Sequence, residues 1–71
     1  MADSVYKFIE LVGTSSESWE KAAAAAVNQA SKSVRDVRVG EIVQLDVTIE
    51  NGKIKSYRAK MKLSFKYQSK G

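Results

Sequence analysis

The sequence predicts an α+β fold with the element order β-α-β-β, in which a three-stranded sheet packs on one long helix. Two strand-like segments lie on either side of Asn51-Gly52, a strong hairpin-turn signal. A third strand-like segment, near the N-terminus, passes directly into an alanine-rich segment with helical periodicity. The 71 residues leave room for little else, so we expect a single domain spanning residues 1–71.

The first strand is predicted from about Ser4 to Gly13. Apolar residues fall on both of its faces, as expected for a strand that is covered on two sides. We expect one face to meet the helix and the other to meet a second subunit. The apolar residues are Val5, Phe8, Ile9, Leu11 and Val12.

The helix is predicted from Glu17 to about Ser33. Thr14 and Glu17 have the spacing of a capping box, although several hydroxyl side chains leave the N-cap open. The apolar positions recur every three or four residues and form a thin stripe, so the helix can lie close to a sheet. The N-cap candidates are Thr14, Ser15 and Ser16, and the stripe comprises Trp19, Ala23, Ala26, Val27, Ala30 and Val34.

The second and third strands are predicted at about Val37–Ile49 and Ile54–Tyr67. A two-residue loop between them would place apolar residues of one strand on the same face as basic residues of the other. We therefore predict a three-residue loop, Asn51-Gly52-Lys53, with Gly52 in the left-handed conformation, or an equivalent bulge. This register sets Val47 opposite Tyr57, Leu45 opposite Ala59, Val43 opposite Met61 and Asp46 opposite Arg58.

The strand order follows from the connections. The first and second strands are joined through a helix and should run parallel, with the third strand antiparallel to both and between them. The expected order is 1-3-2 in a mixed, largely antiparallel sheet. The second strand is then a long edge, whose unpaired backbone groups favour burial by a neighbouring copy.

The composition excludes several classes of protein. The chain has no Cys and no His, so neither a disulfide nor an ordinary zinc site stabilises it. A nucleophile and base pair cannot be assembled either, and we expect no enzyme activity. A chain this short buries only about 60% of the surface that its unfolded form exposes, which leaves self-association as the source of additional stability.

The charge is distributed unevenly along the chain. Residues 1–50 hold all eight acids and five bases, whereas residues 51–71 hold seven bases and no acid. We interpret this basic stripe as the solvated face of a strand. The alternative is an RNA-binding sheet built from the basic and aromatic residues of the third strand, which we do not favour because no RNP-like sequence is present.

No apolar run is long enough to span a bilayer, and the N-terminus lacks the features of a signal peptide. We therefore expect a soluble, cytoplasmic protein. Trp19 has the helical spacing of a packing residue, and we interpret it as an anchor of the helix on the sheet rather than as a platform for a stacked ligand.

From Ser4 to Tyr67 the chain resembles the dodecins, in its element order and in three stretches of sequence. The resemblance implies a hollow homododecameric shell with a binding role and no catalysis. Flavin-type dodecins sequester flavins. The stretches are Tyr6-Lys7, Gly13-Thr14-Ser15 and Ser56-Tyr57 through Phe65.

The resemblance also implies where a flavin would bind. The flavin site of the family uses a Trp at the start of the second strand for stacking and a Gln in the third strand for hydrogen bonds. Val39 stands at the Trp position and Arg58 at the Gln position. Val has no π-face and Arg only donates hydrogen bonds, so we expect flavin to bind weakly or not at all. A flavin-binding dodecin with a rebuilt pocket is the alternative.

The chain resembles a Trp-less branch of the family, which includes calcium-binding members, in the stretches Ser4-Val5-Tyr6-Lys7, Ser18-Trp19-Glu20 and Arg38-Val39. This similarity implies calcium or another divalent ion as the ligand. Glu17 matches a Glu that contributes to an ion site in some dodecins, whereas Gln44 replaces the acidic residue that would accompany it. The alternative is that Glu17 stabilises the positive end of the helix dipole, by about 0.3–1 kcal/mol.

An anion is a further candidate ligand. Arg58, Lys60 and Lys62 lie on alternate positions of the third strand and should share one face. Guanidinium groups form charge-assisted hydrogen bonds with phosphate oxygens, so this cluster predicts affinity for an anion such as a nucleotide phosphate.

Overall fold

The computed structural model describes residues 4–66, which form three strands and one helix in the predicted order. Strand β3 lies between β1 and β2 and pairs antiparallel with both. The predicted α+β class and strand order 1-3-2 are therefore confirmed. The elements are β1 (Tyr6–Ser15), α1 (Trp19–Ser31), β2 (Val37–Glu50) and β3 (Lys53–Lys66). Tyr67, where the third strand was predicted to end, lies outside the described residues.

The helix begins later than the sequence suggested. Ser18 is the N-cap of α1, because its Oγ accepts a hydrogen bond of 3.1 Å from the backbone N–H of Lys21. The predicted capping box of Thr14 and Glu17 is wrong, since Thr14 still lies in β1. The Oγ of Ser15 instead accepts a hydrogen bond of 2.9 Å from the backbone N–H of Glu17, which shapes the turn ahead of the helix.

Strand β1 is shifted toward the helix relative to its predicted bounds. It runs from Tyr6 to Ser15 rather than from Ser4 to Gly13, because the residues of β1 pair with β3 up to and including Ser15, which stands opposite Tyr57. Helix α1 ends at Ser31 rather than Ser33.

The helix lies very close to the sheet. A Cβ added to Gly13 of β1 would stand 1.9 Å from the carbonyl oxygen of Ala22, so only a glycine fits beneath this turn of α1. The side chains between the two layers are small on the helix and larger on β3. The buried core comprises Ala22, Ala26, Ala30, Ala59, Met61 and Leu63. The predicted apolar stripe thus lies on the buried face of the helix, but the prediction omitted Ala22.

The hairpin turn is shorter than predicted. Glu50 pairs with Lys53, and the two loop residues Asn51 and Gly52 both have left-handed backbones, with φ of 53° and 76°. Such a pair is typical of a type I′ turn. The three-residue loop is therefore wrong, but the alternative of a bulge is confirmed.

The bulge restores the predicted register. The pairing shifts between Thr48 and Ile49, so that Thr48 meets Ser56 while Ile49 meets Ile54. Lys55 is the extra residue of β3. Beyond it, three predicted pairs are confirmed, namely Val47 with Tyr57, Asp46 with Arg58 and Leu45 with Ala59.

A second irregularity was not predicted. The register shifts again between Ile42 and Gln44, so Ile42 rather than Val43 stands opposite Met61. The predicted pairing of Val43 with Met61 is wrong because perfect alternation cannot anticipate an inserted residue.

Within residues 4–66, no helix has the length and apolar character needed to cross a membrane. The cytoplasmic location stays a prediction.

Gly13→Ala is expected to lower the free energy of unfolding by at least about 2 kcal/mol, because the new methyl group meets a backbone carbonyl that cannot move independently. Urea denaturation at fixed protein concentration measures this loss. Gly40→Ala is the matched control: its Cβ would meet the ends of two flexible side chains, Met61 at 3.0 Å and Leu63 at 3.1 Å. We expect that variant to stay within about 1 kcal/mol of wild type. Equal losses in the two variants would contradict the close approach at Gly13.

Candidate functional site

Four of the predicted site residues share one face of the sheet, the face turned away from α1. Arg58, Lys60 and Lys62 alternate along β3 with the buried residues Ala59 and Met61, so their side chains leave the opposite face. Val39 of β2 lies on the same face, next to Gly40, which faces the core. We call this surface the helix-free face; its residues are Phe8, Glu10, Val12 and Thr14 of β1, Val39, Glu41, Gln44 and Asp46 of β2, and Arg58, Lys60, Lys62 and Ser64 of β3.

Arg58 is held by Asp46. Its Nε donates to Asp46 Oδ1 at 2.7 Å, and its second terminal nitrogen donates to Oδ2 at 3.1 Å. The two parallel hydrogen bonds form a bidentate pair between half-exposed side chains. Hydrogen bonding to Arg58, with a smaller effect of the Lys60 charge, holds the pKa of Asp46 below its ordinary value of 3.8. The same pairing raises the pKa of Arg58.

Lys62 lies between two carboxylates in the sheet register. It stands opposite Glu10 on β1 and opposite Glu41 on β2. Its Nζ is also 5.1 Å from the centre of the Phe8 ring, within the range of a cation–π contact.

Lys60 has different neighbours, Val12 on β1 and Gln44 on β2. It is thus flanked in register by an apolar and a neutral residue, unlike Arg58 and Lys62. Acids from the adjacent strands therefore stand beside two of these three bases in the sheet register.

Val39 lies in an apolar part of the helix-free face. Its side chain is exposed, and its carbonyl oxygen accepts a hydrogen bond of 3.4 Å from Ser64 Oγ. Phe8 of β1 stands opposite the same Ser64 from the other side. The exposed aromatic ring of this region thus belongs to β1, a placement that the alternation of the first strand could have indicated.

Trp19 anchors the start of α1 to the hairpin, as predicted. Its indole Nε1 donates to the backbone oxygen of Asp46 at 3.0 Å. Its ring meets that of Tyr57 edge to face, with 5.0 Å between the ring centres. Asp46 therefore contacts the helix through its backbone carbonyl, and it contacts Arg58 through its carboxylate. No sequence pattern indicates an indole bound to a backbone carbonyl, so this link was missed.

Glu17 lies away from the helix-free face, in the turn before α1. Its exposed carboxylate forms an ion pair with Lys21, one turn further on. In the described part of the chain, no three Asp, Glu, His or Cys residues form a group that could hold a metal ion. The described residues of one copy therefore contain no carboxylate cluster of the kind that binds calcium.

The fold and the site define a small β-α-β-β protein whose sheet carries paired charges and remains half uncovered. The dodecin family model matches residues 5–68, and the chain belongs to the dodecin family.

Two relatives of known sequence are similar over nearly the whole chain. The calcium dodecin of Mycobacterium tuberculosis is 50% identical over 64 residues, which cover 89% of each chain. The dodecin of Thermus thermophilus is 36% identical over 64 residues, covering 90% of this chain and 93% of the relative.

Solved structures of the family superpose closely. Dodecin from Streptomyces coelicolor matches with a TM-score of 0.92 at 30% identity, covering 99% of this chain and all of the other. The calcium dodecin of M. tuberculosis, described as calcium-chelating and as having a calcium-binding site, matches with a TM-score of 0.81 at 46% identity. That match covers 96% of this chain and 97% of the other.

Asp46→Asn is expected to lower stability at neutral pH, because it removes the charged partner of Arg58. The pKa of Asp46 is depressed in the folded protein, so its contribution is present above 3.8 and is lost as the pH falls through the lower folded value. The difference in the free energy of unfolding between wild type and Asp46→Asn, measured by urea denaturation, should therefore disappear once the pH falls below the pKa of Asp46 in the folded protein. Glu50→Gln, which removes an exposed ion pair with Lys55, is the control and should change stability little. A difference for Asp46→Asn that is the same at neutral and acid pH would contradict the pairing.

Proposed function

We propose that the chain assembles into a homododecameric shell that binds and stores a small ligand or an ion and catalyses no reaction. The observation that carries this proposal is the 50% identity, over 89% of the chain, to a protein named calcium dodecin. Calcium is therefore the first ligand to test. Another divalent ion is the nearest alternative.

A calcium ion in this protein would need donors from more than one copy. Calcium takes six to eight oxygen ligands, and Glu17 supplies at most two. Copies of Glu17 from several subunits, together with water, would provide the remainder. Because Lys21 pairs with Glu17, ion binding has to compete with that ion pair.

Flavin is not the ligand that we propose. Val39, at the position of the stacking Trp, offers no aromatic face. Arg58, at the position of the hydrogen-bonding Gln, already donates two hydrogen bonds to Asp46. A rebuilt flavin pocket would have to use other groups.

The remaining alternatives receive less support from the geometry. An anion held by Arg58, Lys60 and Lys62 would lie beside the carboxylates that flank two of these residues. The same carboxylates oppose the binding of a nucleic acid. We therefore do not propose either ligand.

Glu17→Gln is expected to weaken calcium binding by at least about tenfold, because each copy loses one charged ligand. Isothermal titration of the assembled protein with calcium chloride measures the change. Glu20→Gln, an exposed acid in the first turn of α1, is the matched control and should bind like wild type. Equal weakening in both variants would show that Glu17 has no specific role. A wild-type protein that binds no calcium would contradict the choice of ion.

Val39→Trp is expected to raise the affinity for riboflavin by about two- to tenfold, the range that one aromatic contact provides. Quenching of riboflavin fluorescence measures the affinity, and the wild type should quench weakly or not at all. Val39→Leu is the control, since it adds apolar bulk without a π-face. Strong quenching by the wild type would instead favour the rebuilt flavin pocket.

A further inference from the structure

An opening lies just after the C-terminal end of α1. It is bounded by the loop between α1 and β2, by the start of β1 and by the end of β3, and its volume is about 510 Å³. This volume falls within the range of about 300–1,000 Å³ that is typical of small-molecule sites. We call this opening the loop pocket; its lining includes Lys7, Val34, Arg35, Asp36, Phe65 and Lys66.

Part of the loop pocket is apolar. Phe65 of β3 stands between Lys7 of β1 and Val37 of β2 in the sheet register, and it is only half-buried. Val34, from the loop after the helix, is also half-buried and lines the same opening. An aromatic ring and a valine side chain together offer a surface on which a flat ligand ring can pack.

The charged groups of the loop pocket are mainly cationic. Lys7, Arg35 and Lys66 line it together with a single carboxylate, Asp36. Three bases and one acid give the lining a formal charge of +2. Guanidinium and ammonium groups form charge-assisted hydrogen bonds with phosphate and carboxylate oxygens. The charge of the lining therefore favours an anion.

The loop that carries Arg35 has a defined conformation. The backbone N–H groups of Ser33 and Val34 both donate to the carbonyl oxygen of Ala30, at 3.1 and 2.8 Å. These bonds also occupy a carbonyl of the last helical turn, whose negative partial charge would otherwise oppose an anion. Asp36 has a left-handed backbone with φ of 58°, which is uncommon for a residue with a side chain and occurs often at ligand sites.

We propose that the loop pocket binds a small organic anion with a flat ring and a phosphate group, such as a nucleoside monophosphate. The ring packs on Phe65, and the guanidinium of Arg35 donates hydrogen bonds to the phosphate. A phosphate is favoured over a carboxylate because it carries up to two negative charges, which match the formal charge of the lining. This site goes beyond the ion binding proposed above, since Glu17 precedes the first turn of α1 and the loop pocket follows its last turn.

Isothermal titration of the purified full-length protein with adenosine monophosphate (AMP) tests the proposal. We expect saturable binding that Arg35→Gln weakens by at least about fivefold, because the phosphate loses its guanidinium partner. Arg38→Gln is the matched control: it removes the same charge from an exposed arginine of β2 that is not part of the pocket lining, and it should bind AMP like wild type. Equal weakening in both variants would overturn the proposal, as would a wild-type protein that does not bind AMP.

Phe65→Leu tests the position of the ring separately from that of the phosphate. The substitution keeps an apolar side chain but removes the π-face, so the affinity for AMP should fall by about two- to tenfold. The affinity for inorganic phosphate should stay the same, and circular dichroism should match that of wild type. A folded Phe65→Leu protein that binds AMP as tightly as wild type would overturn the contact with Phe65.

Calcium binding gives an independent readout. Arg35→Gln should bind calcium like wild type, because Arg35 and Glu17 lie beyond opposite ends of α1. A protein that binds calcium but no AMP contradicts the loop pocket alone. A protein that binds AMP but no calcium contradicts the choice of ion and supports the loop pocket.

Discussion

The close contact between α1 and Gly13 determines how this small protein is built. A helix faced with alanines can stand directly on the backbone of β1, because neither partner offers a large side chain to hold them apart. The helix and the sheet approach each other closely, but the helix covers only part of the width of the sheet. It buries a compact band along β1 and β3 and leaves the remaining width of the sheet, above all β2, without a cover. The uncovered width of the sheet is thus a direct consequence of how the helix packs on it.

The polar side of the sheet brings acids from two strands beside the bases of a third. The acids lie elsewhere in the sequence, but the register places Asp46 beside Arg58 and sets Glu10 and Glu41 on either side of Lys62. Asp46 has two roles, since its backbone carbonyl also accepts the indole hydrogen bond of Trp19. Asp46 therefore contributes both to charge pairing within the sheet and to the packing of the helix on it.

Much of the fold could be predicted because alternation and helical periodicity are strong signals in this chain. The parity of the apolar residues indicated a register correction near the turn, and the pairing of Leu45 with Ala59 follows from it. Features that depend on single residues were less predictable. The sequence offered three N-cap candidates, Thr14, Ser15 and Ser16, but Ser18 caps the helix because β1 pairs as far as Ser15. The bulge at Val43 has no signature in the pattern at all.

The candidate site was predictable in its location and less so in its interactions. The spacing of Arg58, Lys60 and Lys62 placed them on one face, and the register placed Asp46 opposite Arg58. The acids around Lys62 come from two different strands, so their meeting requires the complete sheet order and both registers. Glu17 is a still harder case, because a metal site shared between copies, as we propose, would leave no cluster among residues 4–66 of one copy.

We propose that one copy of this chain is incomplete and that the functional unit is a shell of copies. Native mass spectrometry of the freshly purified protein tests this claim most directly, since one spectrum gives both the number of subunits and the mass of any retained ligand. We expect a homododecamer carrying additional mass that corresponds to bound ions or a small ligand. A stable monomer without added mass would contradict it.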